Sequence, residues 1–230
     1  MAKNSGKDSV VIIDYGSGNL RSAAKAFERV IVDAGLGYDV VVSDKAEDVA
    51  CASHVVLPGQ GAFGDCMSGL KGIDGMVEAI EQRVIKQGQP FLGICVGMQL
   101  MVTRGLEYGE HAGLNWIEGE VVPMTPDDKA LKIPHMGWND ILLPSLGEQD
   151  NAHFVLRSVE STEKSDAHYY FVHSFMVECK YSHHILATTQ YGGSVAAVIG
   201  RDNMVGVQFH PEKSQENGLR LLSDFLHWKP

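Results

Sequence analysis

The residues of this chain best suited to nucleophilic and acid–base chemistry fall in two short stretches far apart in sequence, GICVGMQ at 93–99 and GVQFHPEKS at 206–214. In the first, Cys95 stands between Gly93 and Gly97, after an apolar run that suits a buried strand and before Met98, Gln99, Leu100 and Met101, which favour helix. A strand that turns abruptly into a helix lifts the side chain at the turn onto a strained backbone, and its neighbours must be small to clear it. The start of a helix also sets unpaired N–H groups and the positive end of the dipole beside the sulfur, which favours thiolate. The competing reading is a small apolar residue in a core strand, the usual fate of a free cysteine. A core strand, however, has no need of either glycine.

A nucleophilic cysteine requires a base, and the base requires a group that orients it. Of the ten histidines, His168, His183 and His184 lie in polar surroundings, and His111 and His227 stand alone. No pair has the spacing of a helical zinc site and no cysteine is placed to complete one, so neither a metal nor a cofactor is expected. His210 differs, because it follows the apolar run Val205–Phe209 and precedes Pro211 and Glu212. The proline disfavours helix at His210, so the segment should stay extended and His210 and Glu212 should share one face. A carboxylate there can fix the imidazole tautomer and stabilise its protonated form; the alternative is a solvated surface turn. LPGQGAFG at 57–64 follows a strand candidate, and its glycines permit backbone angles that could aim an N–H at a developing oxyanion. On its own it is only a turn signal.

The elements that must position these groups are legible as an alternation. Val10–Asp14 reads as a buried strand, and Leu20, Ala23, Ala24, Phe27, Val30 and Ile31 mark a helix. Asp39–Val42 and His54–Leu57 read as strands, and Ile73, Met76, Val77, Ile80 and Val84 as a second amphipathic helix ended by Gly88 and Pro90. Strands alternating with helices imply a parallel sheet. Beyond about residue 116 strand candidates crowd together at Ile117–Val122, Tyr169–Val172, Ile185–Thr189, Val195–Ile199 and Val205–Phe209, so that half should be richer in antiparallel pairing. A final helix carries Leu219, Leu222, Phe225 and Leu226 on one face. The expected fold is α/β, with a mixed, largely parallel central sheet flanked by helices and an additional antiparallel region. Residues 1–9, polar throughout, read as a flexible extension and 10–230 as one domain.

The formal net charge of −10 offers no basic stripe for nucleic acid, and no apolar run reaches membrane-spanning length. The four cysteines show no C-x-x-C and no secretory leader precedes them, so reduced thiols in a cytoplasmic protein are expected.

An elbow cysteine paired with a later strand-terminal H-x-E is a specific combination. Through GICVGMQ and VQFHPEKS the chain resembles the class I, triad-type glutamine amidotransferases, with similarity over nearly its whole length after residue 9. The resemblance implies that Cys95 is the nucleophile, His210 the general base and acid, and Glu212 the orienting carboxylate, acting on L-glutamine through a thioester. It assigns the oxyanion hole to the loop Gly59, Gln60 and Gly61 with the N–H of Val96, and glutamine binding to Gln99, Glu107 and the backbone near Ser174 and Phe175. Gln60, Val96 and Gln215 depart from the family pattern, and relatives often carry an aliphatic residue at the position of Gln60.

Three further stretches, IDYGSGNLRS (13–22), KIPHMGWN (132–139) and YYFVHSF (169–175), resemble the branch of the family that feeds ammonia to a cyclase of histidine biosynthesis. Gly16-Ser17-Gly18 mimics a dinucleotide fingerprint, but Arg21 occupies the third glycine position. PHMGWN, beside a Pro/Gly turn, reads either as a core tryptophan at a strand end or as an aromatic docking surface. The resemblance selects the second, placing Trp138, Asn139 and Asn19 near the seam with a separate (β/α)₈ cyclase subunit in a heterodimer, with Tyr170 and His173 close by. The chain is too short to contain that barrel as well. Rival readings are the same chemistry serving another synthase, a silent scaffold that only binds the cyclase, and a γ-glutamyl hydrolase on the same fold.

Overall fold

The computed structural model describes residues 8–144, 153–160 and 168–230. Most of the extension expected over 1–9 lies outside the described residues, and Ser9 already belongs to the first strand. In chain order the first half runs β1 (Ser9–Ile13), α1 (Leu20–Asp33), β2 (Asp39–Ser43), α2 (Ala46–Cys51), β3 (His54–Gly59), α3 (Phe63–Lys71), α4 (Met76–Ile80) with a π-helical continuation over Glu81–Lys86, β4 (Phe91–Cys95) and α5 (Val96–Gln99). The second half adds β5 (Val102–Gly105), β6 (His111–Ala112), β7 (Ile117–Pro123), β8 (His135–Asp140), α6 (Arg157–Glu160), β9 (His168–His173), β10 (Phe175–Cys179), β11 (Ile185–Gln190), β12 (Ser194–Arg201), β13 (Met204–Val207) and α7 (Gln215–His227).

Seven strands build the central sheet in the order β11-β12-β13-β4-β3-β1-β2. The five from β13 to β2 are parallel, and β11, β12 and β13 are antiparallel to one another, which makes the sheet mixed and largely parallel. The inner strands β1, β3 and β4 are apolar runs buried along almost their whole length, as a sheet covered on both faces demands. Helix α1 turns Ala23, Phe27, Val30 and Ile31 inward, and Phe27 meets Phe225 of α7 edge-on at 6.2 Å. A second sheet has the order β10-β7-β5-β6, and β8 and β9 form a separate two-stranded ribbon. The second sheet is not wholly antiparallel, since β5 and β7 run parallel.

Three expectations need correction. Helices α2 and α3 were not anticipated, because six and nine residues hold too few turns for a periodic pattern. In the segment PHMGWN, read as a tryptophan at a strand end beside a Pro/Gly turn, the strand is the segment itself: β8 starts at His135, and its ladder to β9 pairs His135 with His173 and Asn139 with Tyr169. The run expected as a strand to Phe209 ends as one at Val207, although the Gln208 N–H still donates to the Ala197 carbonyl at 2.8 Å.

Candidate active site

The C-terminal ends of four adjacent parallel strands supply the candidate residues, the edge where open α/β sheets characteristically bind ligands. Strand β4 ends in Cys95 and β3 in Gly59, which lie in register with each other. Strand β13 ends at Val207, in register with Ile94, so the chain that leaves it carries Gln208 and then His210 alongside the thiol. Strand β1 leads into Tyr15 and Ser17. Sheet order thus brings His210 to Cys95, 115 positions earlier in the chain.

The turn at Cys95 is the sharp strand-to-helix elbow expected: the residue sits at φ 55°, ψ −112°, and α5 begins directly after it. Its glycines are steric requirements. A Cβ on Gly97 would lie 1.8 Å from the Leu57 carbonyl oxygen, and one on Gly93 2.7 Å from the Gly97 oxygen. A Cβ on Gly59 would come within 2.8 Å of both the Tyr15 hydroxyl and the Val96 Cβ, so the end of β3 is pressed against the elbow. No real Cβ tolerates such distances, and the backbone contact that shapes the site exists only without them.

His210 and Glu212 are both buried, and their side chains meet through Nδ1 and Oε1 at 2.9 Å. The path between them is not extended as expected. Pro211–Lys213 forms a 3₁₀ turn, closed by the Lys213 N–H on the His210 carbonyl, with proline at the helical first position it favours. Ser214 donates from its hydroxyl to the His210 carbonyl and accepts from the Tyr170 N–H, while the His210 N–H donates to the Tyr170 carbonyl at 2.9 Å. The Cys95 thiol lies close enough to the imidazole to act on its titration. Burial alone would depress the imidazole pKa, but interactions with Cys95 and Glu212 and the charges they carry outweigh it and raise it to about 9. The other carboxylate oxygen of Glu212 is buried without a hydrogen-bond partner, which commits that charge to His210. At neutral pH the imidazole therefore keeps a proton to give.

The expected oxyanion loop adjoins the elbow, and Gly61 at φ 100° uses the left-handed freedom of glycine. The Gln60 N–H is already engaged: it donates to Ser17 Oγ at 3.0 Å, while the Gln60 carbonyl accepts from Ser17 Oγ at 2.5 Å and from Cys66 Sγ at 3.4 Å. Ser17 thus grips both polar groups of one residue, and a turn of that peptide toward the thiol must first break the grip. Val96 opens α5 immediately after Cys95.

Among the residues expected to bind glutamine, Gln99 is buried and donates to the Gln208 Oε1 at 3.0 Å and to the Phe175 carbonyl at 3.4 Å. Glu107 accepts from the Phe63 N–H at 2.8 Å, capping α3 just after the oxyanion loop. The Ser174 carbonyl accepts from the Met124 N–H. Gln208, which sequence reasoning passed over, is fully buried and donates from Nε2 to Cys95 Sγ at 3.7 Å. Its signal was a polar residue inside the apolar run before His210.

Of the residues expected at a partner seam, Trp138 is 49 % exposed and meets Tyr170 edge-on at 6.0 Å. Trp138 also borders a surface recess with His168, Ser214, Gln215 and Glu216. Asn19 immediately precedes α1 and lines a small void with Gly59, His210 and Glu212. The His173 side chain is buried, at the inner end of the ribbon. Among the described residues no group of three or more His, Cys, Asp or Glu side chains could hold a metal ion, and no helix is long and apolar enough to cross a membrane.

A thiol, an imidazole and a carboxylate in series at an elbow are the groups that nucleophile–base–orienter chemistry requires. The family model described as glutamine amidotransferase class-I matches residues 11–228, and the chain belongs to that family of enzymes. It is 53 % identical, over 96 % of its own length and 99 % of theirs, to imidazole glycerol phosphate synthase subunit HisH of Agrobacterium fabrum and to its namesake of Rhodospirillum rubrum. The fold is shared with solved glutamine amidotransferase structures. One superposes with a TM-score of 0.62 at 17 % identity, covering 94 % of this chain and 96 % of the other. A second, from Thermotoga maritima, has a TM-score of 0.57 at 16 % identity and covers 90 % and 76 %.

Proposed function

We propose that the chain is the glutaminase subunit of imidazole glycerol phosphate synthase, in histidine biosynthesis, and that Cys95, His210 and Glu212 are its catalytic triad. The observation that carries the reading is the 53 % identity to HisH subunits across almost the full length of both proteins. The burial of Cys95 and His210, the His210–Glu212 contact and the influence of Cys95 on the imidazole support the residue roles.

In this reading the Cys95 sulfur attacks the glutamine carboxamide carbon, a carbon–sulfur bond forms, and the electron pair moves onto the oxygen, where backbone N–H groups of the 59–61 loop and Val96 receive it. As the intermediate collapses the carbon–nitrogen bond breaks and His210 gives its proton to the departing ammonia. Water then attacks the thioester with His210 as base, releasing glutamate and restoring the thiol. Glu212 orients the imidazole and stabilises its charged form throughout. Gln99, Glu107 and the backbone at Ser174 and Phe175 hold the substrate.

Ammonia passes to a separate (β/α)₈ cyclase subunit, in a heterodimer docked over Trp138, Asn139, Tyr170 and Asn19, with His173 supporting that face from inside. There it reacts with a phosphoribulosyl-formimino aminoimidazole carboxamide nucleotide to give imidazole glycerol phosphate and the aminoimidazole carboxamide ribotide. The grip of Ser17 on Gln60 supports a low basal rate that rises when the occupied cyclase turns the loop.

The test is glutamate release by the purified chain alone, with the cyclase, and with the cyclase and its nucleotide ligand. Strong stimulation by the last combination is expected, and Cys95→Ala should abolish turnover in the complex, by about 10⁴-fold or more. Unchanged turnover in that variant, or stimulation only by an unrelated synthase, would overturn the assignment.

A further inference from the structure

The β8–β9 ribbon carries two buried histidines that the mechanism above does not use. His135 and His173 face each other across the ladder at its inner end, with Nδ1 of His135 2.9 Å from Nε2 of His173. The His135 ring is stacked on Phe171 at 4.8 Å and Tyr191 at 4.0 Å, so it cannot turn freely. At one end of the pair, His173 Nδ1 lies 2.9 Å from the Phe175 carbonyl oxygen. At the other, His135 Nε2 lies 3.2 Å from Asn139 Nδ2.

These contacts fix where every proton is. The Asn139 amide has its orientation set independently, since Oδ1 accepts from the Asp140 N–H and Nδ2 donates to the Gln190 carbonyl. Asn139 must therefore donate to His135 Nε2, which leaves the His135 proton on Nδ1. A carbonyl oxygen can only accept, so His173 must also carry its proton on Nδ1 and present a bare Nε2 to His135. The row runs one way, from Asn139 through His135 and His173 to the Phe175 oxygen, with both rings neutral. Burial favours that state, pulling both pKa values down to about 4.

The row does not stop at Phe175. Its carbonyl also accepts from Gln99 Nε2, which donates to Gln208 Oε1, and Gln208 Nε2 donates to the Cys95 sulfur. The outer end is the ribbon on which Trp138 and Met136 stand exposed, at 49 % and 60 %. We propose that His135 and His173 are positioning residues, a relay of two neutral imidazoles that sets the Phe175 carbonyl and, through Gln99 and Gln208, the resting position of the Cys95 thiol. The proposal rests on the reading of Cys95 as nucleophile. It makes the ribbon a second connection between the docking face and the thiol, separate from the loop gripped by Ser17.

The first test is direct. Long-range ¹⁵N–¹H correlation spectra of the full chain at pH 7 should show both rings as neutral Nδ1–H tautomers, and an Nε2–H tautomer or an imidazolium at either position would overturn the relay. The second uses two variants in the complex with the cyclase, read by iodoacetamide alkylation of Cys95 and by kcat and KM for glutamine. In His173→Asn the amide can take the place of Nδ1 and still donate to Phe175, whereas in His173→Gln it reaches the place of Nε2 and leaves the Phe175 oxygen bare. Alkylation and kcat should stay within about threefold of native in the first and fall by about tenfold in the second, as the loss of one positioning hydrogen bond implies. Equal losses in the two variants, following their thermal midpoints, would mean that the side chain only fills space. Cys95→Ala separates the claims: turnover in that variant refutes the nucleophile, while a failed relay leaves it inactive.

Discussion

At the C-terminal edge of the central sheet, position is enforced by backbone lying against backbone: Gly59, Gly93 and Gly97 let β3, β4 and α5 approach to distances that any Cβ would forbid. In the β8–β9 ribbon it is enforced by side chains, through a file of hydrogen bonds and stacked rings beneath an exposed tryptophan. The first arrangement is stiff, because close-packed backbone has no alternative state of similar energy. The second can be rearranged by rotating amides and rings, and it lies where a partner would dock. The difference would suit the proposed roles, in which a nucleophile stays fixed beside a base while its surroundings respond to another subunit.

The steepest way to break the stiff half is Gly97→Ala. With the Cβ 1.8 Å from the Leu57 oxygen, the elbow must shift, and a loss of about 4 kcal/mol or more in unfolding free energy is expected in denaturant melts. A value below about 1 kcal/mol would show that the elbow yields and that the contrast with the ribbon is false.

Glu212→Gln probes the same half without touching its backbone. It should lower kcat by about 10²-fold and lower the His210 titration midpoint, followed by imidazole NMR, from its native value of about 9. Because that pKa is raised on folding, its contribution to stability is complete below the ordinary histidine value near 6.5 and is lost as pH rises through about 9. The variant should lose part of that pH dependence, and an unmoved midpoint would mean that Glu212 does not hold the imidazole.

Trp138→Ala moves to the ribbon. An exposed ring contributes little to folding, so the melting curve should change by less than about 0.5 kcal/mol, while affinity for the cyclase should fall by about 2 kcal/mol if the ring is an interface anchor. Calorimetric titration reads this, and unchanged affinity would move the docking face elsewhere.

The mildest change joins the two regions. Ser17→Ala removes the hydroxyl that grips both polar groups of Gln60, and glutamate release without the partner should rise by about fivefold. No rise would mean that the loop is held in place by its glycines and by Cys66.

Much of the architecture was legible because it is written in short periods. The apolar runs at Val10–Ile13 and Phe91–Cys95 announced buried parallel strands, and the spacing from Leu20 to Ile31 announced α1. Helices α2 and α3 were not legible, being too short to show a period. The extent of strand β8 was obscured because PHMGWN carries Pro and Gly turn signals, and what makes it a strand is its ladder to β9, whose first and last pairs, His135–His173 and Asp140–His168, lie far apart in sequence. The H-P-E segment gave the right contact by the wrong path, since a 3₁₀ turn also brings a carboxylate back to the preceding imidazole.

The sequence by itself determined the chemical repertoire, a cysteine between glycines and a histidine with a glutamate two positions on, because residue type and local spacing decide what a turn can present. Tertiary structure alone decided who meets whom. Inserting β13 beside β4 carried Gln208 and His210 to the thiol, pairing β1 with β3 put Ser17 on Gln60, and pairing β8 with β9 set His173 against His135. No local pattern encodes these contacts, because strand order in a sheet is set by the packing of the whole chain rather than by any one segment's own preferences.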